Sequence, residues 1–167
     1  MILPVLQYPD PRLKEKSADI EEITPEIRQL AADMFETMYA RNGVGLAAPQ
    51  VGVQLNMVVT DTSGAEARTN PRVFVNPKLS LDGPWVEGEE GCLSVSASSF
   101  RADVKRRTKA RLVATDLEGN PIEEDLEGIA AVCLQHECDH LNGILFIDHI
   151  SRLKRMMYDR KIAKGKK

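Results

Sequence analysis

The chain has 167 residues, 43% hydrophobic and 28% charged, with a net charge of −3. These values are ordinary for a soluble protein and sufficient for one domain with its own core. The apolar runs fall far short of a membrane span and no targeting segment is visible at Met1-Ile2-Leu3-Pro4, so a cytoplasmic protein is expected.

Thr24-Pro25-Glu26 supplies an N-cap hydroxyl and a proline for the first helical position. Ile27, Leu30, Ala31, Met34 and Met38 follow at helical spacing, and Asn42-Gly43 ends the helix. Leu55 to Asp61 reads as a buried strand, and Val73 to Val75 as a short one stopped by Asn76-Pro77. Leu112 to Asp116 and Ile122 to Leu126 flank Glu118-Gly119-Asn120, the mark of a hairpin. Helices are expected over about Glu127 to Asn142 and Ser151 to Ala163. Together these predict an α+β fold: antiparallel or mixed sheets around a central metal-binding helix, with an N-terminal and a C-terminal helix.

Charge divides the chain. After Ile150 there are eight bases and one acid, a net +7, against 14 bases and 24 acids before it, a net −10. Residues 1–150 are read as the catalytic part and 151–167 as a basic helical tail of the same domain. Arg106, Arg107 and Lys109 are expected on a solvated strand face. Trp85 is expected at the surface near the cleft, and His149 is given no partner.

His136-Glu137-Cys138-Asp139-His140 carries the chemistry. Residues i and i+4 of a helix share a face, about 6 Å apart along the axis, so two imidazoles can grip one ion. Glu137 can then serve as general base, as in metallohydrolases with this spacing. Such a site needs a third ligand and an open position. Cys133 lies seven residues from His140, about 10.5 Å along the axis, too far for one ion to serve both. Cys138 faces away from the histidines. Cys92, within Glu90-Gly91-Cys92-Leu93-Ser94, is the better third ligand, although a lone cysteine is more often a small buried hydrophobe. Gly43-Val44-Gly45-Leu46-Ala47-Ala48-Pro49-Gln50 reads as a helix C-cap and turn, with Gln50 an uncharged donor able to face an oxyanion.

The segments GVGLAAPQ, EGCLS and QHECDH, in this order, resemble the three signature motifs of the peptide deformylases, and Tyr8-Pro9-Asp10-Pro11 is similar to that family's start. The resemblance runs from near Met1 to about Ile150. It implies removal of the N-formyl group from the formyl-methionine of newly made polypeptides, with release of formate. It further implies that Cys92, His136 and His140 bind the metal, that Glu137 is the acid/base residue, and that Gln50 and the Leu93 N–H hold the formyl oxygen. Gly45 and Val44 would border the substrate backbone, Ile129, Val132 and Cys133 the methionine pocket, and Arg101 the peptide. One divalent ion per chain is implied, Fe2+ first, with Zn2+, Ni2+ or Co2+ able to take the site. Ser96 stands where the family commonly has proline, so Ser96-Ala97-Ser98-Ser99 is expected to form a loop at the cleft rim.

The same reading gives the partners: nascent formyl-methionyl chains and, through Arg152, Lys154, Arg155, Arg160, Lys161, Lys164, Lys166 and Lys167, the ribosome, with neither membrane nor DNA. Against ribosome docking stands a helix that merely packs Leu153, Met156, Met157 and Ile162 on the body. Against the deformylase reading stand another HExxH peptidase and a non-catalytic, ribosome-associated metal-binding module. The cysteine of EGCLS opposes the first, and a set of only three ligands opposes the second.

Overall fold

The computed structural model describes residues 1–96 and 99–165. The first helix, α1 (Pro25–Ala40), starts where the Thr24 hydroxyl accepts from the Ile27 N–H at 3.3 Å and Pro25 takes the first turn. It ends where Asn42 turns to φ 55°. Gly43 then lets the chain fold back, its N–H donating to the Met38 carbonyl at 2.9 Å. A side-chain carbon on Gly43 would stand 2.9 Å from Leu93 Cδ1.

The segment after α1 is more than a turn. Gly45–Ala47 forms an edge strand, β1, before a 3-10 turn at Ala48–Val51. The predicted buried strand is β2 (Met57–Thr60), and a single-turn helix, α2 (Gly64–Ala67), comes next. The short strand expected at Val73 instead opens a long one, β3 (Arg72–Glu90), which passes through Asn76-Pro77. The register shifts between Val75 and Lys78, and Asn76 has φ 51°. At such a bulge the missing proline N–H costs no ladder bond. Asn76 is fixed by Ile20: its Oδ1 accepts from the Ile20 N–H at 2.8 Å and its Nδ2 donates to the Ile20 carbonyl at 2.9 Å.

The expected hairpin is β4 (Ala102–Thr115) with β5 (Pro121–Glu127), turning at Gly119 with φ 83°. The sheet runs β1-β2-β3-β4-β5 with every neighbour antiparallel. Two further helices, α3 (Gly128–Leu141) and α4 (Arg152–Gly165), match their predicted places within two residues.

Alternation along the first strands covers both faces of the sheet. Ala47, Val58 and Phe74 pack with Leu112, Ala131, Leu134 and Leu141, filling the space between the sheet and α3. Their neighbours Leu46, Met57, Val59 and Val75 pack with Met34 and Met38 of α1. Each of the larger aliphatic and aromatic side chains contributes about 1.5–3 kcal/mol on burial, and the two layers hold α3 by its apolar face. Its polar face is thereby directed at the cleft. A third cluster, Leu13, Val95, Phe146, Ile147 and Tyr158, joins the N-terminal segment to α4.

The helix α4 keeps only part of the expected packing. Tyr158 is buried and Ile162 partly so, whereas Leu153, Met156 and Met157 are 69%, 51% and 54% exposed. Arg155 ties the helix down, donating from Nη1 to the Ile147 carbonyl at 3.1 Å and to Asp148 Oδ1 at 2.7 Å. Among the described residues no helix is long and apolar enough to cross a membrane.

Candidate metal centre

Two elements deliver the ligands. The α3 turn spacing sets His136 and His140 edge to face, with ring centroids 5.1 Å apart. The chain leaving β3 turns at Gly91 and brings Cys92 beside them, Sγ 3.3 Å from His140 Nε2. One ligand atom from each of Cys92, His136 and His140 lies within 4.8 Å of the others. The sulfur also accepts from the Ser94 N–H at 3.4 Å and from Gln50 Nε2 at 3.5 Å.

The other cysteines are elsewhere. Cys133 Sγ points at the Val44 carbonyl, 3.9 Å away, and Cys138 lines a different cavity. Burial pushes both thiols up, Cys138 to about 12. A soft sulfur with two imidazoles suits a divalent transition ion. One buried polar atom beside them, Glu137 Oε2, has no partner among the described residues. The residues therefore fit a bound ion.

The two imidazoles differ. Burial, with the positive His136 and Arg106 nearby, holds His140 well below the ordinary histidine range, so its lone pair is free for a metal. Burial also opposes charge on His136, but hydrogen bonds to Cys92 and Glu90 outweigh it and raise this residue well above that range. Its Nδ1 sits 2.9 Å from Glu90 Oε1, which leaves Nε2 for the ion. An ion and that proton compete for one place.

Glu137 follows His136 and is buried. Burial lifts its carboxyl to about 7, Glu90 adding to the effect while His136 and Arg106 oppose it. A side-chain carbon on Gly45 would stand 2.6 Å from Glu137 Oε1, so only glycine lets β1 pass here. A carboxyl poised near neutrality can both take and return a proton.

Behind the ligands lies a set of charges that sequence reasoning missed. Glu90 receives both Arg106 Nε and Nη2 at 2.9 Å, and Arg106 Nη1 donates to Asp139 Oδ2 at 2.7 Å. Asp139 in turn meets His149 Nε2 at 3.0 Å. Burial alone would raise Glu90, but the His136 and Arg106 hydrogen bonds bring it down to about 2. Arg106 is thus not on a solvated strand face. Only 5% of it is exposed, since it falls in step with buried Ala102 and Val104 along β4. That alternation was the available signal. Nor is His149 without a partner, because the turn Phe146–His149 carries it back over α3.

A cleft of about 560 Å³ opens on the site. Val44, Gly45, Gln50, Cys92, Leu93, Arg101, Ile129, Val132, Cys133, His136 and Glu137 all border it. His140 is buried at its base. Ile129 is 65% exposed and stands at the rim. Arg101 also lies at the rim, its Nε donating to Glu89 at 2.7 Å. Gln50 is locked in place, its Oε1 accepting from the Ala47 N–H at 3.0 Å and its Nε2 donating to Ser94 Oγ at 3.0 Å. The Leu93 N–H has no partner among the described residues. Trp85 does not border this cleft. It is 62% exposed under the Arg107 guanidinium, on the other side of α3. Of the expected rim loop, Ala97 and Ser98 lie outside the described residues, while Ser96 donates from Oγ to Gln7 Oε1 at 2.8 Å.

Comparison with known proteins points to one family. The polypeptide deformylase family model matches residues 2–156. A peptide deformylase of Pseudomonas aeruginosa is 49% identical over 164 residues, covering 98% of this chain and 95% of that protein. The crystal structure of a peptide deformylase from Legionella pneumophila superposes with a TM-score of 0.91 at 43% identity, over 99% of this chain and 96% of that one. A peptide deformylase from Ehrlichia chaffeensis, in complex with actinonin, gives 0.89 at 35% identity over 98% and 97%.

Proposed function

The chain belongs to the polypeptide deformylase family, metal-dependent hydrolases that remove the formyl group from N-terminal formyl-methionine, and we propose that Cys92, His136, His140 and Glu137 carry that reaction in it. The observation that carries this assignment is the convergence of three ligand atoms within 4.8 Å beside an unpartnered, buried Glu137 carboxylate oxygen.

When bound, the ion supplies an acidified water and polarises the formyl carbonyl. Glu137 takes the proton of the attacking water as the new C–O bond forms. The charge that gathers on the formyl oxygen meets Gln50 Nε2 and the Leu93 N–H. As the C–N bond breaks, Glu137 returns its proton to the leaving amine, giving formate and a free methionyl N-terminus. Gly45 and Val44 border the substrate backbone, Ile129, Val132 and Cys133 the methionine side chain, and Arg101 the peptide beyond it. A close-fitting site around a carbon that bears only hydrogen rejects larger acyl groups. Glu137→Gln keeps the shape and removes the proton carrier, so it should retain the ion and lose about 10²–10⁴-fold in turnover of formyl-Met-Ala. Near wild-type turnover would refute the role, and equal hydrolysis of acetyl-Met-Ala would refute the acyl selectivity.

The working metal in this reading is Fe2+, with Zn2+, Ni2+ or Co2+ able to replace it, since a thiolate and two imidazoles suit each of them. An iron form should lose activity in air as iron and thiolate oxidise, and a cobalt or nickel form should keep it. Residues 1–150 form the catalytic part and 151–167 its basic tail, in a cytoplasmic enzyme that works where nascent chains appear.

The tail is the element that docks on the ribosome. Exposed Leu153, Met156 and Met157 beside Arg152, Lys154, Arg160, Lys161 and Lys164 support this reading, since among the described residues the apolar packing of the helix falls to Tyr158 and Ile162. Lys166 and Lys167 lie outside the described residues. Reversing Lys154, Arg160 and Lys161 to glutamate should abolish a salt-sensitive co-sedimentation with ribosomes. Unchanged sedimentation would remove the tail as the anchor.

A further inference from the structure

A second cavity, of about 640 Å³, lies on the side of α3 opposite the metal cleft. Pro77, Leu79, Leu81 and Trp85 of the long β3 strand form its apolar wall, and Cys138 and Leu141 of α3 its back. Leu81 and Trp85 are 47% and 62% exposed, so this wall is open to a ligand. Lys16, Lys78 and Lys105 stand around it. None of the three has an ion pair among the described residues.

The acids of the cavity are already engaged. Asp139 is shared between Arg106 and His149, and Asp19 accepts from Asn56 Nδ2 at 2.7 Å. The cavity therefore offers an apolar, partly aromatic surface beside three uncommitted ammonium groups. We propose that it binds a small amphipathic anion: an aromatic ring or short apolar chain bearing a carboxylate or sulfonate. The apolar part lies on Leu79, Leu81 and Trp85, and the anionic end turns to Lys78 and Lys105, with Lys16 across the opening. A neutral ligand would leave the lysines unused. A hydrophilic anion would leave the apolar wall unused and rest on exposed ion pairs, which are weak by themselves.

Trp85 is the sole tryptophan of the chain, which makes the cavity self-reporting. The experiment titrates the intact, metal-loaded protein with 8-anilinonaphthalene-1-sulfonate and reads energy transfer from Trp85. Saturable transfer is expected. The double charge reversal Lys78→Glu/Lys105→Glu should weaken binding about tenfold or more, the equivalent of two lost ion pairs. Leu81→Asp should weaken it as well, while turnover of a formyl-Met peptide stays at the wild-type rate in both. Non-saturating transfer, or an affinity that neither variant changes, overturns the proposal.

Discussion

Arg106 and Arg107 are neighbours on β4, yet they occupy opposite worlds. Arg106 is buried and holds Glu90 with two bonds and Asp139 with a third. Arg107 lies outside over Trp85, and Arg111, further along the strand, spreads loosely between Glu123 and Asp125 at 3.4 and 3.3 Å. The side-chain chemistry is the same in all three. What differs is the parity of the strand, which sends one guanidinium behind the ligand His136 and turns the others to the opposite face, Arg107 half-exposed and Arg111 exposed. Charge therefore has to be read with its face before it is read for function.

The comparison sharpens most at Arg106. Arg106→Met leaves the buried Glu90 and the partly buried Asp139 without their cation, and removal of one partner from a buried set costs about 3–5 kcal/mol. Denaturant unfolding should register this as a large drop in midpoint, and an unchanged midpoint would mean the buried set does not support the fold.

Next in size is Glu90→Gln. It removes the carboxylate that orients His136, a loss that typically weakens a metal site about 10–100-fold. Competition with a metal-binding dye should show weaker retention of the ion in a protein that remains folded. Full retention would separate Glu90 from the metal centre.

His149→Ala, at the partly exposed end of the same chain of charges, should destabilise by about 1 kcal/mol or less. Smallest of all is Arg111→Ala, expected within about 0.5 kcal/mol of wild type, because exposed pairs of this kind gain little. If it matched Arg106→Met, the division between the two sets would fail.

The same contrast explains what was legible in the sequence. The i, i+4 histidines, the Thr24 cap, the Asn42-Gly43 stop and the Glu118-Gly119-Asn120 turn are local signals, and each describes its own few residues. Every candidate site residue named from the sequence borders the metal cleft or lies at its base. The long-range parts were not legible. The Asn76-Pro77 pair looked like a strand end because its bulge depends on Ile20, 56 residues away. Glu90, Arg106, Asp139 and His149 come from three separate elements and the turn after α3. Their partnership exists only once the sheet curls around that helix. Only the alternation Ala102, Val104, Arg106 hinted at it.

The central claim is that Cys92, not either helix cysteine, completes the ligand set. The direct measurement is metal content per chain, under exclusion of oxygen, for the wild type, Cys92→Ala and Cys138→Ala. The expected result is a bound ion in the wild type and in Cys138→Ala, and almost none in Cys92→Ala, with hydrolysis of the formyl peptide lost in the same variant. Full metal in Cys92→Ala would contradict the account.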